Sequence, residues 1–159
     1  MATSKASITT SISQASNSSA IGIPAATSLA TGQVIERITP VATATTGVVN
    51  VDFLTSGVLY YTSNSTANWT FNVRGSSSVA LNTALSANQS ATVAMMVTQG
   101  ASAYYANSFQ IDGSVRTVKW QSGTAPTSGD ANSINLYSYT IVKTAANTYT
   151  VLGSQSKYA

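Results

Sequence analysis

From about residue 33 onward, short runs of β-branched and aromatic residues recur, and Gly, Asn, Asp or Ser punctuates them at short intervals. In the clearest run, residues 68–74, the large side chains of Trp69, Phe71 and Val73 alternate with polar ones. Because successive side chains of a β-strand point to opposite faces, this alternation predicts a strand with one buried face. Such runs at short spacing predict an all-β fold, here an antiparallel β-sandwich or jelly roll with an extended polar N-terminal arm.

The same composition predicts the remaining strands. They are expected at residues 33–39, 48–54, 58–61, 91–97, 103–105, 108–111, 115–121, 134–143 and 148–153. The run at 91–97 is apolar enough to predict burial on both faces, and only residues 79–85 favour a helical turn. Asp112-Gly113 between two runs is a strong hairpin signal. Asp130 lies in a loop rich in Gly, Pro and Ser, and Trp120 is expected to be buried by its strand.

Residues 1–32 have a different composition, dominated by Ser, Thr, Ala, Asn and Gln. We therefore divide the chain into an extended low-complexity arm, residues 1–32, and a β domain, residues 33–159. Two interpretations of the arm remain open: a flexible tail that buries too little apolar area to order, or a segment that orders against a partner. The apolar side chains that would anchor it to a partner are Ile21, Ile23, Pro24 and Leu29.

The chain lacks the residues on which most enzymes depend. It has no cysteine and no histidine, which removes thiolate nucleophiles, disulfides, most zinc sites and the usual general base near neutral pH. A Ser–Lys pair at Lys119 or Lys143 lacks the companion motifs of such enzymes. The acidic residues available for paired-carboxylate chemistry are Glu36, Asp52, Asp112 and Asp130. Each fits the exposed face of a strand or a turn, so we predict no catalytic, cofactor-binding or metal-binding residue.

Charge and hydropathy also limit the partners. The net charge is +3, but the basic residues are scattered and only Arg116 and Lys119 are close in sequence, so no clustered phosphate-binding stripe is expected. The longest apolar runs, such as residues 93–97, fall far short of the roughly 20 residues of a membrane-spanning helix. The N-terminus lacks the apolar segment of a secretory signal. We therefore expect no nucleic-acid partner, no membrane insertion and synthesis in the cytoplasm.

Several motifs occur together in an order that resembles a known group of proteins. They are Val58–Asn64, Asn68–Gly75, Phe109–Gly113, Lys119–Gln121, Ala125-Pro126 and Asn135–Ile141. Over roughly Val51 to Ala159, the chain is similar to a β domain of virion structural and tail-fibre-like proteins of tailed phages, most of all phages of marine cyanobacteria. The first third of the chain lies outside this resemblance.

The resemblance implies a non-enzymatic protein of the virion, without a cofactor, whose partners are other capsid or tail proteins. It also implies a homo-oligomer, with a trimer as the expected state. Because the chain has no stalk, heptads or repeated units, we favour a small capsid decoration or accessory protein anchored by its arm. The alternative is a tail-fibre or receptor-binding component that contacts host surface glycans through outward rings of Tyr104, Tyr105 or Tyr137. An envelope-degrading enzyme is the third and weakest hypothesis.

Overall fold

The computed structural model describes residues 36–159. The predicted arm, with its anchors Ile21, Ile23, Pro24 and Leu29, lies outside the described residues. Within them, strands dominate, with one short helix α1 (Leu81–Ala84) and one 3-10 turn (Gln121–Gly123). The all-β prediction is confirmed.

The strands form two sheets. Sheet A has six strands in the spatial order β1 (Ile38–Val41), β3 (Val58–Tyr61), β5 (Gln89–Thr98), β9 (Ile134–Ala145), β10 (Thr148–Tyr158) and β8 (Val118–Trp120). Sheet B has four strands in the order β2 (Gly47–Asp52), β4 (Trp69–Arg74), β6 (Ala106–Ile111) and β7 (Ser114–Val115). The first six strands therefore alternate between the two sheets along the chain.

Because of this alternation, the chain winds back and forth between sheets A and B, and this path determines the relative directions of neighbouring strands within each sheet. A chain that leaves a sheet, crosses the other sheet and returns enters the first sheet in its original direction. The pairs β1–β3, β3–β5, β2–β4 and β4–β6 are accordingly parallel, as is β8–β10. The prediction of an antiparallel fold is therefore wrong: both sheets are mixed, with antiparallel pairs only at β5–β9, β9–β10 and β6–β7 within the described residues.

The register of the parallel strands places similar side chains next to each other across sheet B. Val49 pairs with Phe71, which pairs with Phe109, and one residue later Asn50 pairs with Asn72. The Asn72 side chain is buried; its Nδ2 donates to Asn50 Oδ1 at 2.7 Å, and its Oδ1 accepts the Gly113 N–H at 2.9 Å. A buried amide is stable only when its polar atoms are paired, so this ladder fixes the register of the strands.

The long strands at the centre of sheet A alternate between buried and more exposed residues. Every second residue of β5 from Ala91 to Val97 is buried, whereas Met96 between them is only partly covered. The prediction that residues 91–97 are buried on both faces is therefore wrong. In β9 the buried positions are Asn135, Tyr137, Tyr139, Ile141 and Lys143.

Aromatic rings from both sheets contact each other in the core. Phe71 of β4 lies 4.6 Å from Tyr139 of β9, centroid to centroid, and Phe109 of β6 lies 4.5 Å from the same ring. Trp69 meets Tyr137 edge to face at 5.6 Å. Each fully buried side chain of this size contributes a few kcal/mol of hydrophobic stabilisation, so these contacts hold the sheets to one another.

Three local predictions have different outcomes. The helical turn predicted at 79–85 is confirmed by α1. The strand predicted at 115–121 is divided between β7 of sheet B and β8 of sheet A, because the chain changes sheets at Arg116-Thr117. Residues 103–105, predicted as a strand, form the loop before β6.

Candidate functional site

Two of the acidic residues predicted to be structural, Asp52 and Asp112, have partners within the protein. Asp52 and Arg74 end adjacent parallel strands in register, and the Arg74 Nε lies 2.5 Å from Asp52 Oδ1. The hydrogen bond to Asp52 raises the pKa of the Arg74 guanidinium. Both side chains remain about one third exposed, so solvent screens the pair and its contribution to stability is small.

Asp112 occupies the predicted turn and also caps a helix. Asp112 and Gly113 both have positive φ, 52° and 77°, as a two-residue hairpin between β6 and β7 requires. The Asp112 carboxylate accepts the N–H of Leu81 at 2.7 Å and that of Asn82 at 3.1 Å. These are free N–H groups of the first turn of α1, whose own N-cap residue is Ala80 and supplies no acceptor.

Lys143 is buried and joins β9 to the same helix. Its Nζ donates to the carbonyl of Asn82 at 2.5 Å and to that of Leu85 at 2.7 Å. A cation at the C-terminus of a helix pairs carbonyls that have no partner within the helix. Sequence reasoning missed this role, although the alternation of β9 places Lys143 on the same face as Tyr139 and Ile141.

The three tyrosines predicted as glycan contacts lie in different environments. Tyr137 is fully buried, and its hydroxyl accepts the Ala106 N–H at 3.3 Å and bonds to Gln155 Nε2 at 2.8 Å. Burial raises the pKa of Tyr137 to about 12, against the opposing effect of those two hydrogen bonds. The prediction of an outward ring is therefore wrong for Tyr137, because the inward face of β9 holds it in the core.

Tyr104 and Tyr105 remain partly exposed, in a loop fixed by its backbone. The buried amide of Gln99 donates to Tyr104 O at 3.0 Å and accepts Tyr104 N–H at 2.9 Å, and Asn68 Oδ1 accepts the Tyr105 N–H at 3.0 Å. Both rings also pack partly against the core. Their contact with a glycan stays a prediction.

In the part of the chain that the structure describes, Trp120 lies beside several surface concavities. The indole ends β8, an edge strand of sheet A, and is only partly buried, contrary to the expectation that its strand would bury it. Trp120 lines three concavities, two on the side of its ring and a third on the outward face of sheet A. One of about 280 Å³ lies beside Phe109, Arg116 and Pro126; one of about 200 Å³ lies beside Gln121, Ser122 and Gln155; a shallow one of about 350 Å³ lies over Leu152 and Ser154.

The Trp120 ring is held in place from two sides. Its edge-to-face contact with the buried Tyr139 ring has a centroid distance of 5.8 Å. On β10, Gly153 pairs with Trp120, and a Cβ on that glycine would lie 3.1 Å from Trp120 Cζ3. Because Gly153 has no side chain, the indole can pack closely against β10 at this position. We call Trp120, Gln121, Ser122, Ser154 and Gln155 the Trp120 surface.

Two further results concern metals and membranes. Among residues 36–159, no three His, Cys, Asp or Glu side chains come close enough to hold a metal ion. No helix in this part of the chain is long and apolar enough to cross a bilayer.

Comparison of the chain with protein-family models, with curated proteins and with solved structures gives no match in any of the three. The resemblance to phage β domains therefore stays a prediction from the sequence motifs given above.

Proposed function

We propose that this protein is a non-enzymatic structural component of a phage virion, a small capsid decoration or accessory protein anchored by residues 1–32. The partners of the charged side chains support the non-enzymatic part of the proposal, and the motifs that resemble phage β domains support the virion role. Asp112 caps α1, Lys143 pairs its last carbonyls, and Asp52 pairs with Arg74. Groups that a catalyst would direct at a substrate are here directed at the protein's own backbone and strands.

We further infer that the β domain is a sandwich whose first strands wind between the two sheets. The ring contacts of Phe71 and Phe109 with Tyr139 support this arrangement, because they join sheet B to sheet A. A jelly roll, which is built from antiparallel Greek keys, is less compatible with the parallel pairs β2–β4 and β4–β6.

The surface chemistry fits a protein that works outside a cell on a particle. Only 7% of the residues are charged, so stability depends little on ion pairs that salt would screen. The Asn50–Asn72 hydrogen bond and the aromatic core are contacts between neutral groups, so ionic strength has little effect on them. The partners we propose are other capsid or tail proteins, together with copies of this chain in a homo-oligomer, for which a trimer is the expected state.

The second candidate function is a tail-fibre or receptor-binding component. The observation that favours it is the partly exposed indole of Trp120, held beside two concavities of about 280 and 200 Å³. Exposed aromatic rings of this kind are common in binding sites because they combine large contact area with little loss of side-chain entropy.

Copy number and position in the particle test the proposal directly. Quantitative mass spectrometry of purified particles of the encoding phage, with antibody labelling in the electron microscope, should find many copies on the head. A few copies at the tail tip would favour the receptor-binding alternative. Absence from purified particles would contradict both.

A truncated protein tests the anchoring by the arm. We expect a variant lacking residues 1–30 to fold, as judged by a strand-type circular dichroism spectrum and a cooperative unfolding transition. It should no longer co-sediment with particles made without the native protein, whereas the full chain should rebind them. Equal binding by the two forms would show that the arm is not the anchor.

A further inference from the structure

The Trp120 surface has the composition of a small-ligand site whose contacts are both apolar and polar. The indole supplies an apolar face next to concavities of about 280 and 200 Å³, which share Trp120 and Pro126 in their lining. The amides and hydroxyls around it come from two elements, the 3-10 turn after β8 and the strand β10. Sites that bind small molecules specifically combine such a face with a few convergent polar groups.

The polar groups are positioned before any ligand arrives. Gln155 Nε2 donates to Tyr137 Oη at 2.8 Å and to Ser128 O at 3.2 Å, which fixes the amide in the 200 Å³ concavity. Ser122 has a positive φ of 61° within the 3-10 turn, a backbone conformation that few non-glycine residues adopt. Groups that are already ordered lose little conformational entropy when a ligand binds, so the same contacts give a higher affinity.

The charges around Trp120 narrow the ligand class. Residues lining the three concavities include Lys119 and Arg116 but no Asp or Glu. Two cations at the margin accept a neutral or an acidic ligand and disfavour a cationic one. A nucleic-acid strand, which also stacks on aromatic rings, would need a longer series of cations to neutralise successive phosphates.

From these observations we propose that the Trp120 surface binds a pyranose sugar of an oligosaccharide. The C–H face of the sugar ring packs on the indole, and the equatorial hydroxyls exchange hydrogen bonds with Gln121, Ser122 and Gln155. The attraction between the sugar ring and the indole comes from dispersion and C–H···π contacts. The amides and hydroxyls of the site replace the hydrogen bonds to water that the sugar hydroxyls lose on binding. This inference stands whether or not the protein is a virion component.

The experiment uses the full chain on an array of neutral hexose, N-acetylhexosamine and uronate oligosaccharides, with single-stranded oligonucleotides of mixed sequence beside them. Positive oligosaccharides are then titrated calorimetrically, with Trp120 exposure followed by acrylamide quenching of its fluorescence. We expect binding to at least one oligosaccharide and protection of Trp120 from the quencher. Comparison of the affinities for neutral and for uronate oligosaccharides shows whether the positive charges of Lys119 and Arg116 contribute to binding.

Variants locate the binding. Trp120→Ala should weaken it at least tenfold, and Tyr158→Ala, an exposed aromatic at the end of β10, is the matched control that should leave it unchanged. Gln121→Ala and Ser122→Gly keep the indole and its packing, so they test the site even if Trp120→Ala unfolds; each should weaken binding at least threefold.

Three results would overturn the proposal: no oligosaccharide bound, binding unaffected by both polar variants, or retention of oligonucleotides alone.

Discussion

At the scale of single residues, Asp112 shows how a carboxylate can look catalytic in sequence and be structural in the fold. The Asp-Gly pair predicts the turn correctly, because few residues other than Gly, Asn and Asp tolerate a positive φ. The hydrogen bonds that the Asp112 carboxylate accepts from the N–H groups of Leu81 and Asn82 join residues 31 and 30 positions apart, which no local pattern reveals. Sequence therefore predicts the backbone role of Asp112 and misses its capping role.

Two substitutions at Asp112 separate these roles. Asp112→Asn keeps an acceptor oxygen and a residue tolerant of positive φ, so it should lower the free energy of unfolding by less than about 1 kcal/mol. Asp112→Ala loses the cap and is strained at φ 52°, so we expect a loss of about 2–3 kcal/mol. Urea denaturation followed by circular dichroism measures both.

The exposed Asp130 provides the control, because its side chain makes no hydrogen bond with other described residues. Asp130→Ala should change the free energy of unfolding by no more than about 0.5 kcal/mol. If Asp112→Ala were as harmless as Asp130→Ala, the capping contact would have no energetic importance.

At the scale of strands, the sequence predicts where most strands lie but not how they pair. The alternation of Trp69, Phe71 and Val73 shows that one face is buried, and this holds in a parallel or an antiparallel pair alike. Short loops such as residues 42–46 suggest hairpins, yet here they carry the chain to the other sheet. The pairing is decided by contacts distant in sequence, such as the Asn50–Asn72 amide bond, which local periodicity does not contain.

The parallel pair β8–β10 yields a prediction at this scale. In Gly153→Ala the new Cβ would lie 2.6 Å from Val118 Cγ1 and 3.1 Å from the rings of Trp120 and Tyr139. Overpacking of this kind should lower the free energy of unfolding by about 1–3 kcal/mol and displace the indole, which a shift of its fluorescence would report.

A second substitution shows whether the clash is the cause. Val118→Ala removes the nearest methyl groups, so the double variant Val118→Ala/Gly153→Ala should be more stable than the sum of the two single effects predicts. Ser154→Ala, next to Gly153 on β10, serves as the control and should have little effect. Strict additivity in the double variant would contradict the proposed steric cause.

At the scale of the whole molecule, the candidate site depends on the assembly of three neighbouring strands of sheet A. Trp120 comes from β8, Gln155 from β10, and the hydroxyl that orients Gln155 from Tyr137 in β9. The sequence offers Trp120 followed by a polar turn, which is a weak signal alone. Tyr137, predicted from sequence as an outward ring, contributes to the Trp120 surface only indirectly, because its buried hydroxyl accepts a hydrogen bond from the Gln155 amide.

The buried phenols also determine how the molecule responds to pH. The chain has no histidine, so no side chain with an ordinary pKa between 5 and 8 affects stability there. Burial raises the pKa of Tyr137 from 10 to about 12 and raises that of Tyr139 as well. Because the folded protein holds these protons more tightly than the unfolded chain, its stability is complete below pH 10 and decreases as pH rises from 10 towards 12.

We therefore expect the urea midpoint to be nearly constant from pH 6 to 9 and to fall steeply above pH 10. The raised pKa of Tyr137 alone corresponds to roughly 2 kcal/mol of stability lost by pH 12. Tyr137→Phe removes that proton, so the variant should be less stable at pH 7, where the hydroxyl's hydrogen bonds are lost, yet lose less stability between pH 10 and 12. Tyr158→Phe, at an exposed ring, should reproduce the wild-type profile. An unchanged alkaline slope in Tyr137→Phe would mean that other groups, and not this buried phenol, limit the fold at high pH.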